Sequence, residues 1–157
     1  MRQSGVDPDR VARFASDINR STKRLETIGA IPLETFLGDE DLQDIARSRL
    51  LTAIEAAIAL CFHVCSRTIG LVPEQYGQCF TILAANRVIS VDLAARMVRM
   101  AGFRNRLVHV YWDTDWRQVH GIVRGDLGDL EEFLRQVGVA TELNGTGDSC
   151  PPRGADA

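Results

Sequence analysis

The chain has 157 residues, 45% apolar and 25% charged, with a formal net charge of -3. That mix suits one soluble domain able to bury a core without metal or disulfide staples, and the negative total excludes a protein that holds nucleic acid through bulk positive charge. Met1–Arg13 is polar and unlike a signal peptide, and no run reaches the roughly 18–20 apolar residues a membrane span needs.

In chain order, Asp7-Pro8-Asp9 reads as a helix start, with Pro tolerated in the first turn. Val11, Phe14, Ile18, Leu25 and Ile28 then recur at helical spacing until Gly29 and Pro32 end the element. A second helix runs from near Asp39 to about Ile69. Thr52, Glu55, Ala59, His63 and Ser66 form a narrow polar stripe on it, and nearly everything else from Leu50 to Cys65 is apolar. An apolar arc that wide must be covered on most sides, so this helix is central to a bundle or is also covered by a second subunit. After the break at Gly70–Pro73 a shorter helix spans about Glu74–Asn86, with Tyr76, Phe80 and Leu83 expected inward. Ser90 is placed to cap the next helix, which begins at Val91 with Asp92 in its first turn. It carries Leu93, Ala94, Met97 and Val98 and continues through Phe103–Tyr111. Asp113 and Asp115 restart a helix with Trp116, Val119 and Val123 on one face, Gly125 and Gly128 break it, and Leu130, Phe133, Leu134 and Val137 make a last amphipathic turn or two. No segment alternates as a strand does. The expectation is an all-α up-and-down bundle of four to six helices over residues 1–138, with 139–157 as a flexible Gly/Pro/Ser-rich tail.

Cys61, Cys65 and Cys79 fall in apolar helical segments and read as core thiols of a reduced, cytoplasmic protein. The Cys61/Cys65 pair with His63 between them lacks the further ligands a metal site needs, so neither metal nor cofactor is expected. His120 reads as a surface histidine, and Glu55 as a partner for an arginine of the basic helix.

Charge is unevenly spread. Residues 86–112 hold Arg87, Arg96, Arg99, Arg104 and Arg106 against Asp92 alone, while the flanking segments are net acidic. Such a patch can hold a phosphodiester in an acidic protein. Within it lies Gly102-Phe103-Arg104-Asn105-Arg106-Leu107-Val108-His109-Val110-Tyr111-Trp112. At about 100° per residue, with Arg104 at zero, Tyr111 falls near -20°, Asn105 near 100° and His109 near 140°. One half of the helix thus presents a guanidinium, an amide, an imidazole and a phenol, with Phe103, Leu107 and Val110 on the other side. A guanidinium neutralises a phosphate and supports the charge that grows on it, and an imidazole moves protons near neutrality. Together they suffice to cleave RNA through its own 2′-hydroxyl, with Asn105 in a supporting place and Arg99 and Arg106 as further RNA contacts. As a bare pattern, Arg followed five residues later by His is weak in so arginine-rich a chain.

The run Arg104-Asn105-x-x-x-His109-x-Tyr111 resembles the Arg-x4-His-x-Tyr motif of the HepT branch of the HEPN superfamily. The likeness extends to Thr35–Asp39, to Arg49–Ile58 and to Glu74–Leu83, and covers roughly residues 20–137. The resemblance implies an all-α HEPN bundle that forms a homodimer with a shared cationic cleft, and metal-independent cleavage of RNA by Arg104 and His109 as the activity of a toxin. It also implies a partner, an MntA-type nucleotidyltransferase antitoxin that neutralises the toxin by AMPylation of Tyr111. Two other readings stay open on the residues: a non-catalytic HEPN module that positions a nucleotidyltransferase, and a helical protein whose arginines hold a free nucleotide.

Overall fold

Asp7 opens the first helix as its Asp-Pro-Asp start requires: its carboxylate accepts the N–H groups of Asp9 (3.0 Å) and Arg10 (3.5 Å). The computed structural model describes residues 5–109 and 113–145, with side chains described for 5–108 and 113–138. Among the described residues there are seven α-helices and no strand: α1 Pro8–Gly29, α2 Leu33–Leu37, α3 Glu40–Val64, α4 Tyr76–Ala85, α5 Val91–His109, α6 Trp116–Gly125 and α7 Leu127–Gly145. A π-helical turn, Cys65–Ile69, ends α3, and Gly70 closes it at φ 79°, the left-handed conformation for which glycine carries no side-chain penalty.

The helix starts follow the capping residues read from the sequence. Asp39 accepts from Leu42 N–H (3.2 Å), Ser90 Oγ from Leu93 N–H (3.2 Å) and Asp115 from Gln118 N–H (3.2 Å). Three features differ from expectation. The five-residue α2 was not foreseen; a helix that short is not stable alone and exists because Phe36 is fully buried beneath it. Gly128 does not break the chain but lies in the first turn of α7. That helix runs on to Gly145, past the boundary drawn at 138, while Cys150 and the rest of 146–157 lie outside the described residues.

α3 is the central helix. Leu50, Ala53, Ala57 and Cys61 are fully buried, and α1, α2, α4, α5, α6 and α7 all pack on it. Its length and composition would pass for a membrane span over Glu40–Ile69, which corrects the expectation that no such run exists; 61% of the apolar window is buried inside the bundle, as in a core helix. Cross-helix contacts set the helix directions. The end of α3 (His63) meets the start of α1 (Asp7), Arg47 at the start of α3 meets Leu107 at the end of α5, and Arg96 of α5 pairs with Asp129 of α7 (2.8 Å) while Ser90 N–H reaches Gln136 (2.7 Å). Each of these pairs is antiparallel, the up-and-down order expected. Cys61, Cys65 and Cys79 are buried free thiols in the core.

Two histidines take structural places. His120, expected at the surface, is buried; it packs on Phe36 (5.2 Å between ring centres) and Nε2–H donates to the Ile31 carbonyl (2.8 Å). His63 is also buried, and its Nε2 accepts the Asp7 N–H (2.9 Å), which requires the neutral ring. Burial first, then the charges of Arg10 and Arg67, hold its pKa below the ordinary value. Because the unfolded chain then binds the proton more readily than the folded one, the His63 contribution is fully present above about pH 6.5 and is lost as pH falls below that value. Urea unfolding is expected to show wild type losing its margin over His63→Ala as pH is lowered through that window, by about 0.5–1.5 kcal/mol. A pH-independent margin would contradict this role.

Candidate functional site

The site lies on the last two turns of α5. Leu93, Met97, Ala101 and Leu107 bury one side of this helix against the core and so set its rotation. Arg47, from the start of α3, donates from Nε (3.0 Å) and from Nη2 to the Leu107 carbonyl. Arg47 thereby ties the last described turn of α5 to the start of α3.

Arg104 points to the outer side of α3. Its Nη2 donates to Glu55 Oε1 (2.9 Å) and its Nη1 to Asn105 Oδ1 (3.3 Å), and its guanidinium carbon sits 5.1 Å from the centre of the Tyr76 ring. The side chain is 17% exposed, and Glu55 is 49% exposed. Arg104 Nε is buried and meets no acceptor among the described residues. The cation is therefore oriented by an acid, an amide and an aromatic face, with its counter-ion still in reach of water. It borders a groove of about 280 Å³ lined by Glu55, Ile58, Ala59, Phe62 and Tyr76. The pairing of the polar stripe of α3 with the basic helix, expected for Glu55, is present.

Tyr76 was expected inward and is not. It is the first residue of α4 and 43% exposed, its ring held edge-on by Phe62 (6.1 Å, 76°) and covered by Arg104. Neither Tyr76 nor Arg47 carries a signal in the sequence, since each acts on a residue far along the chain.

Asn105 lines a second groove, of about 560 Å³, with Glu74, Gln75, Tyr76, Gly77 and Val98. Arg99 and Arg106 are not gathered with Arg104. They line a third groove, of about 400 Å³, between α5, α6 and α7, with Arg96, Asp126 and Asp129. Arg96 is held by Asp129, and Arg106 lies over the Phe103 ring (5.9 Å). Gly102 lines both the second and the third groove, so the two adjoin across a residue with no side chain. The side chain of His109, and Val110, Tyr111 and Trp112 altogether, lie outside the described residues. Among the described residues no cluster of three His, Cys, Asp or Glu side chains is arranged to hold a metal ion.

Fold and motif helix together define a HEPN-type all-α bundle with a positioned arginine near the end of its fifth helix. The chain belongs to the family described as Ribonuclease HepT-like, whose profile matches residues 18–137. It is 29% identical over 126 residues to the mRNA nuclease HepT of Shewanella oneidensis, covering 80% of this chain and 94% of that protein. It is 28% identical over 134 residues to the tRNA nuclease HepT of Aphanizomenon flos-aquae, covering 85% and 91%. Among solved structures it resembles the tri-AMPylated HEPN toxin of Shewanella oneidensis in complex with MNT antitoxin, with a TM-score of 0.76, 27% identity, and coverage of 85% of this chain and 99% of that one.

Proposed function

We propose that this chain is the toxin of a toxin–antitoxin pair, an endoribonuclease that cleaves RNA without a metal ion. The 2′-hydroxyl of the substrate attacks the adjacent phosphorus. The new 2′-O–P bond forms as the P–O5′ bond breaks, leaving a 2′,3′-cyclic phosphate and a 5′-hydroxyl. His109 moves the proton, and Arg104 offsets the charge that builds on the phosphoryl oxygens. DNA lacks the internal nucleophile and is not cut. Asn105 supports the geometry, and Arg99 and Arg106 hold phosphates further along the strand. Two copies of the chain bring their motif helices to one cleft. The observation that carries this reading is Arg104 itself: in a member of a ribonuclease family, its guanidinium is oriented at the rim of a groove rather than sealed in the core.

The partner on this reading is a nucleotidyltransferase antitoxin. The Tyr111 phenol oxygen attacks the α-phosphorus of ATP, pyrophosphate leaves, and the attached AMP sets a second anion against Arg104. The AMPylated state and the antitoxin complex of the Shewanella relative support it.

The purified, unmodified chain is expected to cut total RNA in the presence of EDTA, and His109→Ala to lose about 10²–10⁴-fold in rate. Co-expression with the nucleotidyltransferase should add AMP to Tyr111, seen by mass spectrometry and absent in Tyr111→Phe. An intact chain that cuts nothing would favour the non-catalytic module instead.

A further inference from the structure

The groove beside Asn105, about 560 Å³, has no part in the chemistry above, yet Tyr76 lines both it and the groove of about 280 Å³ that Arg104 borders. An aromatic side chain left 43% exposed at the start of a helix gives up burial it would have gained by turning inward. Here its ring is also fixed, edge-on to Phe62 and under the Arg104 guanidinium. A rigid, half-exposed ring beside a cation is how single-stranded RNA is gripped: the base stacks on the aromatic face while its phosphate meets the arginine. The surroundings suit a base. Val98 and Gly77 give apolar contact, and the Gln75 and Asn105 amides and the Glu74 carboxylate offer donors and acceptors for a base edge. At about 560 Å³ the space falls in the ordinary range for small-ligand pockets. A side chain at Gly102 would project into open space, so the groove stays wide at that point because position 102 is glycine.

We propose that Tyr76 is the platform of a nucleobase subsite, bounded by Glu74, Gln75, Gly77, Val98 and Asn105, that takes the base of the single-stranded RNA nucleotide next to the phosphate at Arg104. The proposal rests on the ribonuclease reading for the identity of its ligand, but its test does not need cleavage. A short single-stranded RNA made uncleavable by 2′-deoxy substitution, carrying 2-aminopurine at successive positions, is titrated with the full-length chain. Fluorescence is expected to be quenched at one position. Removing the base there is expected to weaken binding about 10–100-fold for wild type and little for Tyr76→Ala, with Tyr76→Phe restoring the dependence.

Equal losses from the abasic nucleotide in wild type and Tyr76→Ala would overturn the subsite. So would a Tyr76→Ala enzyme whose kcat falls with KM unchanged on every substrate, since Tyr76 would then only seat Arg104. Position-specific quenching by a chain that cuts no RNA would uphold the subsite and sink the ribonuclease reading. Cleavage without base dependence would do the reverse.

Discussion

Arg104→Ala is expected to lower the turnover of RNA by about 10²–10³-fold while leaving the fold intact. Arg104 is held in place on three sides, by Glu55, Asn105 and Tyr76, so its guanidinium meets a phosphate without first being ordered. Fixed charge of this kind helps most where negative charge grows during the reaction. The loss should therefore fall on kcat more than on KM. Arg104→Lys should recover little, because an ammonium cannot donate in parallel to two phosphoryl oxygens or stack flat on Tyr76. The cost to stability should be small. Glu55 is 49% exposed and, once unpaired, is rehydrated, and an ion pair this open is worth about 0–1 kcal/mol. At this chain length that is a shift of at most about 4 °C in Tm. Steady-state cleavage and thermal unfolding of the same preparations make the comparison. A soluble, folded Arg104→Ala protein with wild-type turnover would end the catalytic assignment.

Phe36→Ala is expected to be the most damaging change to the fold away from the site, at about 3–5 kcal/mol. Phe36 is fully buried, with Trp116 edge-on at 6.2 Å and His120 tilted against it at 5.2 Å. Its carbonyl accepts from Gln43 Nε2 (3.0 Å), and the Leu37 carbonyl accepts from the same nitrogen (3.0 Å). The ring thus joins α2 to α6, while the backbone carbonyls of Phe36 and Leu37 tie α2 to the start of α3. Removing the ring leaves a cavity and frees a five-residue helix that has no stability of its own. The Tm should fall by roughly 6–20 °C. The His120–Ile31 hydrogen bond should loosen with it, readable as faster amide exchange at the start of α6. A loss below about 1 kcal/mol in urea unfolding would mean that the neighbours close over the gap, and that Phe36 does not anchor α2.

Much of this architecture is legible in the sequence. Asp7, Asp39, Ser90 and Asp115 mark helix starts because a capping side chain bonds to N–H groups two or three residues on, a wholly local arrangement. The stripe through Thr52, Glu55 and Ala59 identified α3 as a central helix with one polar seam, and that seam had to face something polar, which proved to be Arg104. The buried face of α5 through Leu93, Ala94 and Met97 was legible for the same reason, since residues three and four apart share a face of one helix whatever surrounds it.

Contacts between helices are another matter, because they depend on how far each helix is rotated and slid against its neighbour, and no local repeat encodes that. The spacing of Tyr76 with Phe80 and Leu83 predicts a core residue, but Tyr76 sits at the very start of α4 and lies half-exposed beneath Arg104. Arg47 lies sixty residues from the carbonyl it holds, and His63 fifty-six from the N–H it accepts. His120 looked exposed because nothing near it in the chain could bury it; α2 and Ile31 do so from across the bundle. Arg99 and Arg106 share a helix with Arg104 yet open onto a different groove, since α7 packs on one flank of α5 and α4 on the other. The chain's own periodicity and capping residues settled most of the buried faces and where α1, α3, α5 and α6 begin; which side chains meet at the site was settled only when the helices packed.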